Sequence, residues 1–360
     1  MLKHLTRWRR TGPQRPFNLL QIEPSLECHL NCVMCPWSEL RPERAQMTWA
    51  TFERIIPHLP HARSVDLTGG GEPTINPLLP DMITAAKDAG CTVGFSTNAN
   101  RLEAALANEL IARRLDWVSV SLDGATAATY ERIRRGANFA RITGAIAALR
   151  DLKQARGSRL PRLMAVFVTM RENYHELPAF VELARQLGIE HVIAKNVDVI
   201  LKDGDDERRL FSHDGPPQAE FIDVFAAAQR RAKELGLGFR QYNLQPNEQP
   251  MCEHDPLRNL FINYEGSVSP CITLAYAEQR VFNGERQTVP CQRYGNVTLE
   301  SLDDIWRDDA YQDFRRRFQV RVDAGRQAML DMMLNPSAGS TAALPPAPEG
   351  CRTCYYLYGI

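Results

Sequence analysis

No apolar run in these 360 residues approaches the ~20 residues that a bilayer span requires. The N-terminal stretch lacks a hydrophobic region of the secretory kind, so export is not expected and the chain is assigned to the cytoplasm. Net charge is missing as well, since 43 Lys and Arg balance 43 Asp and Glu. Nothing global therefore recruits nucleic acid or a membrane surface. Internal repeats are absent, apart from an alternation of strand-like and helix-like segments. Composition is otherwise ordinary for a globular protein, at 44% apolar and 24% charged, and the length allows two domains. Lys3, Arg7, Arg9, Arg10 and Arg15 make the first segment basic, and a solvated tail is expected there.

Cysteine is what the chain has in a telling arrangement. Nine cysteines without an export signal argue against a disulfide framework, and clustered thiols in a reducing compartment more often bind metal. Cys91 opens the apolar stretch CTVGF and is expected in the core. The other eight fall into two groups, one near each end. Cys28, Cys32 and Cys35 form C-x₃-C-x₂-C, while Cys252, Cys271, Cys291, Cys351 and Cys354 are spread over turn-rich sequence.

From residue 17 to about 195 the pattern alternates. Segments 17–23, 64–68, 91–97, 117–124, 162–170 and 189–196 read as six strands. Between them lie helical segments: one capped by Thr48, one closed by Gly90, one over 101–114, a long region reaching about 156, and one over 176–187 stopped by Gly188. Six βα repeats with short connections imply an α/β fold with a parallel sheet. Right-handed crossovers curl such a sheet into a partial (β/α)6 TIM-like barrel, with an open doubly wound sheet as the alternative. In both, ligands bind at the carboxyl ends of the strands. The expected organisation is a tail over 1–16, the barrel over 17–200, a linker and helix over 201–250, and a second cysteine-bearing domain over 251–360. Residues 335–350 are of low complexity and expected to be mobile. The closing YYLYGI is expected to pack the C-terminus onto the barrel.

Three thiols are an odd donor set. Structural zinc takes four ligands, usually in paired C-x₂-C units or with histidine, and His29 keeps a Cys₃His site open. An iron–sulfur cubane is the better chemical match, because thiolates bind its irons one each and three of them leave one iron open. An open metal position signals chemistry. Just after the second strand comes TGGGEP, where Gly70 and Gly71 let backbone approach a ligand and Glu72 offers a carboxylate. FSTNA (95–99) and SVSLDG (119–124) put short polar side chains at the ends of the third and fourth strands. ERIRRGANF (131–139) adds a cluster of arginines.

Together these motifs resemble the radical S-adenosylmethionine (SAM) superfamily, whose signature is C-x₃-C-x₂-C after a first barrel strand. The resemblance implies a [4Fe–4S] cluster on Cys28, Cys32 and Cys35 with SAM chelating the fourth iron. It also implies reductive cleavage of SAM to a 5′-deoxyadenosyl radical that removes hydrogen from a substrate. By resemblance Glu72 meets the SAM amino group, Ser96, Asn98, Ser121 and Asp123 contact ribose or carboxylate, and Arg134 lies near the carboxylate. Met34 stands where the family often has an aromatic residue beside adenine.

The second cysteine group reads C-x₁₃-G-x₄-C from Cys252 to Cys271, then YGNVTLESLDDIW, then Cys351-x₂-Cys354. This is similar to the SPASM/twitch extension of radical SAM enzymes. It implies one auxiliary [4Fe–4S] cluster on Cys252, Cys271, Cys351 and Cys354, with zinc as the structural alternative. Cys291 is left over, as a structural thiol or as a hydrogen-atom donor of the kind some radical epimerases use. The implied activity is that of an oxidoreductase or biosynthetic enzyme served by a flavodoxin- or ferredoxin-type donor. It would act on a sugar-like metabolite or a peptide by oxidation, epimerisation or bond formation. About sixteen residues precede the first strand, which favours a small intermediate over a peptide read by a separate leader-binding region. A partner-dependent maturase and a non-enzymatic electron-transfer protein are the alternatives.

Overall fold

The computed structural model describes residues 15–38, 45–202, 204–212, 215–276, 279–334 and 343–360. The basic residues before Arg15 and the stretch 335–342 lie outside the described residues.

Six parallel strands follow one another in chain order: β1 (Phe17–Ile22), β2 (Ala62–Asp66), β3 (Thr92–Thr97), β4 (Trp117–Ser121), β5 (Arg162–Thr169) and β6 (His191–Asn196). Neighbours in sequence are neighbours in the sheet, and right-handed crossovers between such strands curl the sheet toward a barrel. The sheet runs on at both edges. β7 (Gly238–Gln241) pairs parallel with β6, so the segment expected to be only linker and helix supplies a seventh strand. On the other edge β8 (Asn259–Ile262) pairs parallel with β1, then β9 (Ser267–Ser269) turns back antiparallel. A separate hairpin of β10 (Gln279–Phe282) and β11 (Glu285–Thr288) follows, and β12 (Gly295–Asn296) pairs with β9 to end the ten-stranded sheet. The C-terminal region is thus built directly onto the first barrel strand.

Strand period sets which side chains reach the lumen. In β5, Leu163, Ala165, Phe167 and Thr169 are buried, while Met164, Val166 and Val168 between them are half-buried on the other face. The helix Leu177–Gln186 buries Leu177, Phe180, Val181 and Ala184, the i, i+3, i+4, i+7 stripe that covers a sheet. Phe180 meets Phe167 with ring centroids 4.8 Å apart. No helix among the described residues is long and apolar enough to cross a membrane.

The long helical region expected after β4 consists of two helices, Ala127–Ile133 and Phe139–Ala155. The first helix ends at its C-cap Arg134, and the turn that follows holds Gly136, whose φ of +92° suits glycine. Glu176 braces the N-cap Thr126 of that first helix from outside it. Its carboxylate accepts from the backbone N of Ala125 at 2.6 Å and of Thr126 at 3.2 Å, and from the hydroxyls of Thr126 at 2.9 Å and Thr129 at 2.6 Å.

Burial pushes the Glu176 carboxyl up, but these hydrogen bonds together outweigh it and hold it below its usual range. A carboxyl with a depressed folded pKa contributes stability that is present above the unfolded pKa and is lost as pH falls through the folded one. Glu176→Gln is predicted to lower the urea midpoint at neutral pH. The gap to wild type should close as pH falls below about 4, and a gap that does not depend on pH would contradict the assignment.

Candidate active site

The pocket residues of the barrel come from the last two positions of its strands. Gln21, Ser96, Ser121, Val168 and Lys195 end β1, β3, β4, β5 and β6 and line one cavity of about 370 Å³. Cys28, Cys32 and Cys35 line the same cavity, as do Met34, Gly70, Gly71, Glu72, Asn98 and Arg134.

The cysteine loop is held by its backbone. Asn31 N donates to Arg135 O and Val33 N to Ile133 O, both at 3.0 Å, so Cys32 is stapled beside Arg134. The helix break just described is what turns Arg134 back into the barrel. Its Nε donates to Asp123 Oδ2 at 2.6 Å and its Nη1 to Cys32 Sγ at 3.7 Å. Val168 N donates to the other Asp123 oxygen at 2.7 Å. Burial works against the Arg134 charge, but Asp123 and Cys32 more than offset it and keep the guanidinium cationic. Asp123 is 0% exposed and does not line the cavity. Asp123 thus stands behind Arg134, with its two oxygens turned to Arg134 Nε and Val168 N.

The glycine loop presses on the cysteine loop. Glu72 N donates to Glu27 O at 2.7 Å, and a Cβ on Gly71 would lie 2.4 Å from that same carbonyl oxygen, so only glycine fits. The Glu72 carboxylate is buried and accepts from Thr74 N at 3.2 Å, Thr74 Oγ1 at 2.6 Å, Thr97 Oγ1 at 2.7 Å and Asn98 N at 2.7 Å. Three of those bonds end on Oε1 and one on Oε2, so Oε2 keeps an acceptor position, and Glu72 lines the cavity. The carboxylate thereby fixes the corner after β3, from which Asn98 Nδ2 donates to Cys28 Sγ at 3.5 Å.

Several pocket residues escaped the sequence. Lys195 Nζ lies 2.7 Å from Asp198 Oδ2 and donates to the Tyr356 hydroxyl at 2.5 Å. The His254 ring meets Tyr356 edge-on at 4.4 Å, and its Nε2 is buried without a hydrogen-bond partner among the described residues. Burial holds His254 toward its neutral form. Both His254 and Tyr356 come two residues after a cysteine, Cys252 and Cys354, which is the signal that could have found them. YYLYGI thus walls the pocket as well as packing the C-terminus. Glu23 ties the halves together, accepting from Gly70 N at 2.7 Å, Tyr264 N at 3.3 Å and the Tyr276 hydroxyl at 2.5 Å.

Behind this wall lies the second thiol group. Burial pushes the Cys271 thiol up to about 12 and raises Cys252, Cys351 and Cys354 too. Cys252, Cys271 and Cys354 are the charges that raise Cys351 most after burial. Thiols buried together cannot ionise together without a cation. Arg280 offers one positive charge that favours the thiolates of Cys271, Cys351 and Cys354. It is buried, with Nη2 donating to Gly350 O at 2.6 Å and with Nε and Nη1 lacking acceptors among the described residues. Cys291 is not among the residues lining the cavity, so the structure gives no support to it as a hydrogen donor to a ligand there.

Spacing separates the two metal readings. Among the described residues, no three cysteine sulfurs lie within 4.8 Å of one another. One tetrahedral zinc with Zn–S near 2.3 Å sets sulfurs roughly 3.8 Å apart. A cubane spreads its thiolates over separate irons and does not need them so close.

A curled parallel sheet with thiol donor sets at its mouth and beside its first strand defines a metal-cluster protein on a partial barrel. The chain carries a radical SAM superfamily domain and a SPASM iron–sulfur cluster-binding domain: the model of the first matches residues 22–184 and that of the second matches 252–328. A radical SAM domain takes SAM and a [4Fe–4S] cluster, and a SPASM domain takes auxiliary iron–sulfur clusters. The chain is 26% identical over 302 residues to the tungsten-containing aldehyde ferredoxin oxidoreductase cofactor-modifying protein of Pyrococcus furiosus, covering 82% of each. It is 32% identical over 170 residues to the mycofactocin maturase MftC of Mycobacterium ulcerans, covering 47% of this chain and 44% of that one. The fold matches SuiB of Streptococcus suis bound to S-adenosylmethionine with a TM-score of 0.62 at 17% identity, over 83% of this chain and 68% of that one.

Asp123→Ala leaves a buried guanidinium without its carboxylate, and breaking such a pair costs about 3–5 kcal/mol. Anaerobic denaturation is predicted to show that loss. Asp123→Ala with Arg134→Met should cost less than the two single changes added together. Simple additivity would contradict the pairing.

Proposed function

We propose that this chain reductively cleaves SAM and removes a hydrogen atom from a small polar biosynthetic intermediate of the cofactor-precursor kind. One observation carries the reading. A single cavity has the three thiols of C-x₃-C-x₂-C and the glycine loop on one side, and Lys195, Asp198, His254 and Tyr356 on the other. A non-enzymatic electron carrier has no use for a ligand-sized cavity beside an open three-thiol loop.

In this reading Cys28, Cys32 and Cys35 hold the catalytic cluster, and Gly70, Gly71, Ser96, Asn98, Ser121 and Met34 line the place for SAM. When bound, cluster and SAM supply a one-electron cleavage that yields a hydrogen-abstracting radical. The residues of the chain do the rest. Arg134 sets a fixed positive charge against Cys32, and Asn98 steadies Cys28. Glu72 locks the corner that carries Asn98. Leu30, Val168, Val197, Val199 and Ile272 give the cavity an apolar lining that excludes water. Lys195, Tyr356 and the neutral His254 orient hydroxyl, amine or carbonyl groups of the substrate.

The cavity of about 370 Å³ is of small-molecule size, about 300–1,000 Å³, and in this reading SAM occupies much of it. The likeness to a cofactor-modifying protein over 82% of both chains supports a cofactor precursor. The likeness to a maturase covers less than half of either chain and supports the peptide alternative more weakly. Cys252, Cys271, Cys351 and Cys354 hold one auxiliary cluster in this reading, and a flavodoxin- or ferredoxin-type protein supplies electrons.

The test is anaerobic reconstitution with iron and sulfide, addition of SAM and dithionite, and detection of 5′-deoxyadenosine by mass spectrometry. Wild type should form it, and Cys28→Ala, Cys32→Ala and Cys35→Ala should not. Cys271→Ala should lose about half of the iron, as loss of one of two cubanes requires, and still form deoxyadenosine. No product from a fully loaded wild type, or product from the three loop variants, would overturn the reading.

A further inference from the structure

Away from the cavity, His58, His61 and Asp303 bring three ligand atoms within 4.8 Å of one another. His58 and His61 lie on the 3₁₀ turn Ile56–His61. Side chains three apart eclipse on such a turn, so both imidazoles share one side. Pro57 and Pro60 fix φ within it. Asp303 comes from the first turn of the helix Leu302–Arg307, whose start is capped by Ser301 accepting from Asp304 N. The turn belongs to the barrel and the helix to the C-terminal region.

Distances decide what these groups are doing. His58 Nδ1 lies 3.7 Å from Asp303 Oδ2, and His61 Nδ1 lies 3.9 Å from Asp303 Oδ1. Both are too long for a hydrogen bond, which closes to about 2.7–3.2 Å. Each histidine nevertheless faces a different oxygen of one carboxylate. Two donors on one tetrahedral zinc, each about 2.1 Å from the metal, sit roughly 3.4 Å apart. The two separations exceed that spacing by only about 0.3–0.5 Å, and all three ligand atoms lie within 4.8 Å of one another. His58 adds a second observation. It is 8% exposed, and its Nδ1 is buried with no hydrogen-bond partner among the described residues. Buried polar atoms of that kind are rare and call for a partner.

We propose that His58, His61 and Asp303 bind a divalent transition-metal ion of the zinc class that fastens the C-terminal region to the barrel. Two imidazoles and a carboxylate suit zinc, whereas magnesium and calcium favour all-oxygen sets. Water completes the coordination, because the His61 and Asp303 side chains are 42% and 37% exposed. None of the three lines the catalytic cavity, so the role is structural. A link between residues 61 and 303 closes a long stretch of chain, where a cross-link removes the most freedom from the unfolded state.

The test uses cluster-loaded protein stripped of adventitious metal by a chelator, then titrated with zinc under anaerobic conditions. Wild type should take up about one zinc per chain with no change in cluster absorbance, and its Tm should rise by several degrees. His61→Ala and Asp303→Asn, at half-exposed positions where folding is not at risk, should abolish both uptake and the zinc-dependent rise. Equal zinc uptake by wild type and both variants would place the ion elsewhere and overturn the proposal. So would a wild-type Tm that zinc leaves unchanged, the result expected if Asp303 serves only its helix and a weak histidine ion pair.

Discussion

The site depends on how the cysteine loop is fastened to the helix break at residues 133–136. A loop carrying three thiols gains nothing from burial until its backbone polar groups find partners. Asn31 and Val33 find them at Arg135 and Ile133, on either side of Arg134. The same break lets Arg134 leave its helix and span Asp123 and Cys32. Backbone pairing and ion pair thus fix the same few residues. Asp123, anchored by Val168 N, passes that register to β5, and Glu72 passes it to the end of β3.

The C-terminal region is as much a part of the site as the barrel. β8 pairs with β1, and Glu23, just beyond β1, bonds the glycine loop on one side and Tyr264 and Tyr276 on the other. Tyr356 and His254 then face the cavity while the cysteines two residues before them face the second thiol group. Only one residue stands between each of these cavity groups and a thiol. That arrangement couples the polar wall mechanically to whatever the four thiols hold.

Much of this was legible in sequence because local periodicity carried it. Six strands, their order and the placement of polar residues at their ends follow from alternation and short connections, and the cysteine spacings pointed to clusters. The long-range facts were not legible. Gly136 reads as an ordinary residue in a helical stretch until its positive φ is seen. Asp123 looks like a mouth residue, yet the pull of Arg134 and Val168 N draws it under the surface. β7 is four residues long and carries Gly, Arg and Gln, so no apolar alternation announced it. Lys195 sits at a strand end like Ser96 and Ser121, but a lysine at a strand end is usually solvated. Arg280 does not stand out in a chain with 43 basic residues, since the carbonyl it bonds, Gly350 O, is 70 positions away.

Central to the proposed function is a three-thiol cluster whose remaining iron is the place for SAM. Mössbauer spectroscopy of protein reconstituted with ⁵⁷Fe, recorded before and after SAM is added, tests this most directly. The account predicts that one iron among about eight changes its isomer shift, that Cys28→Ala abolishes the change, and that Cys271→Ala preserves it. A spectrum that SAM leaves unaltered in fully loaded wild type would contradict it.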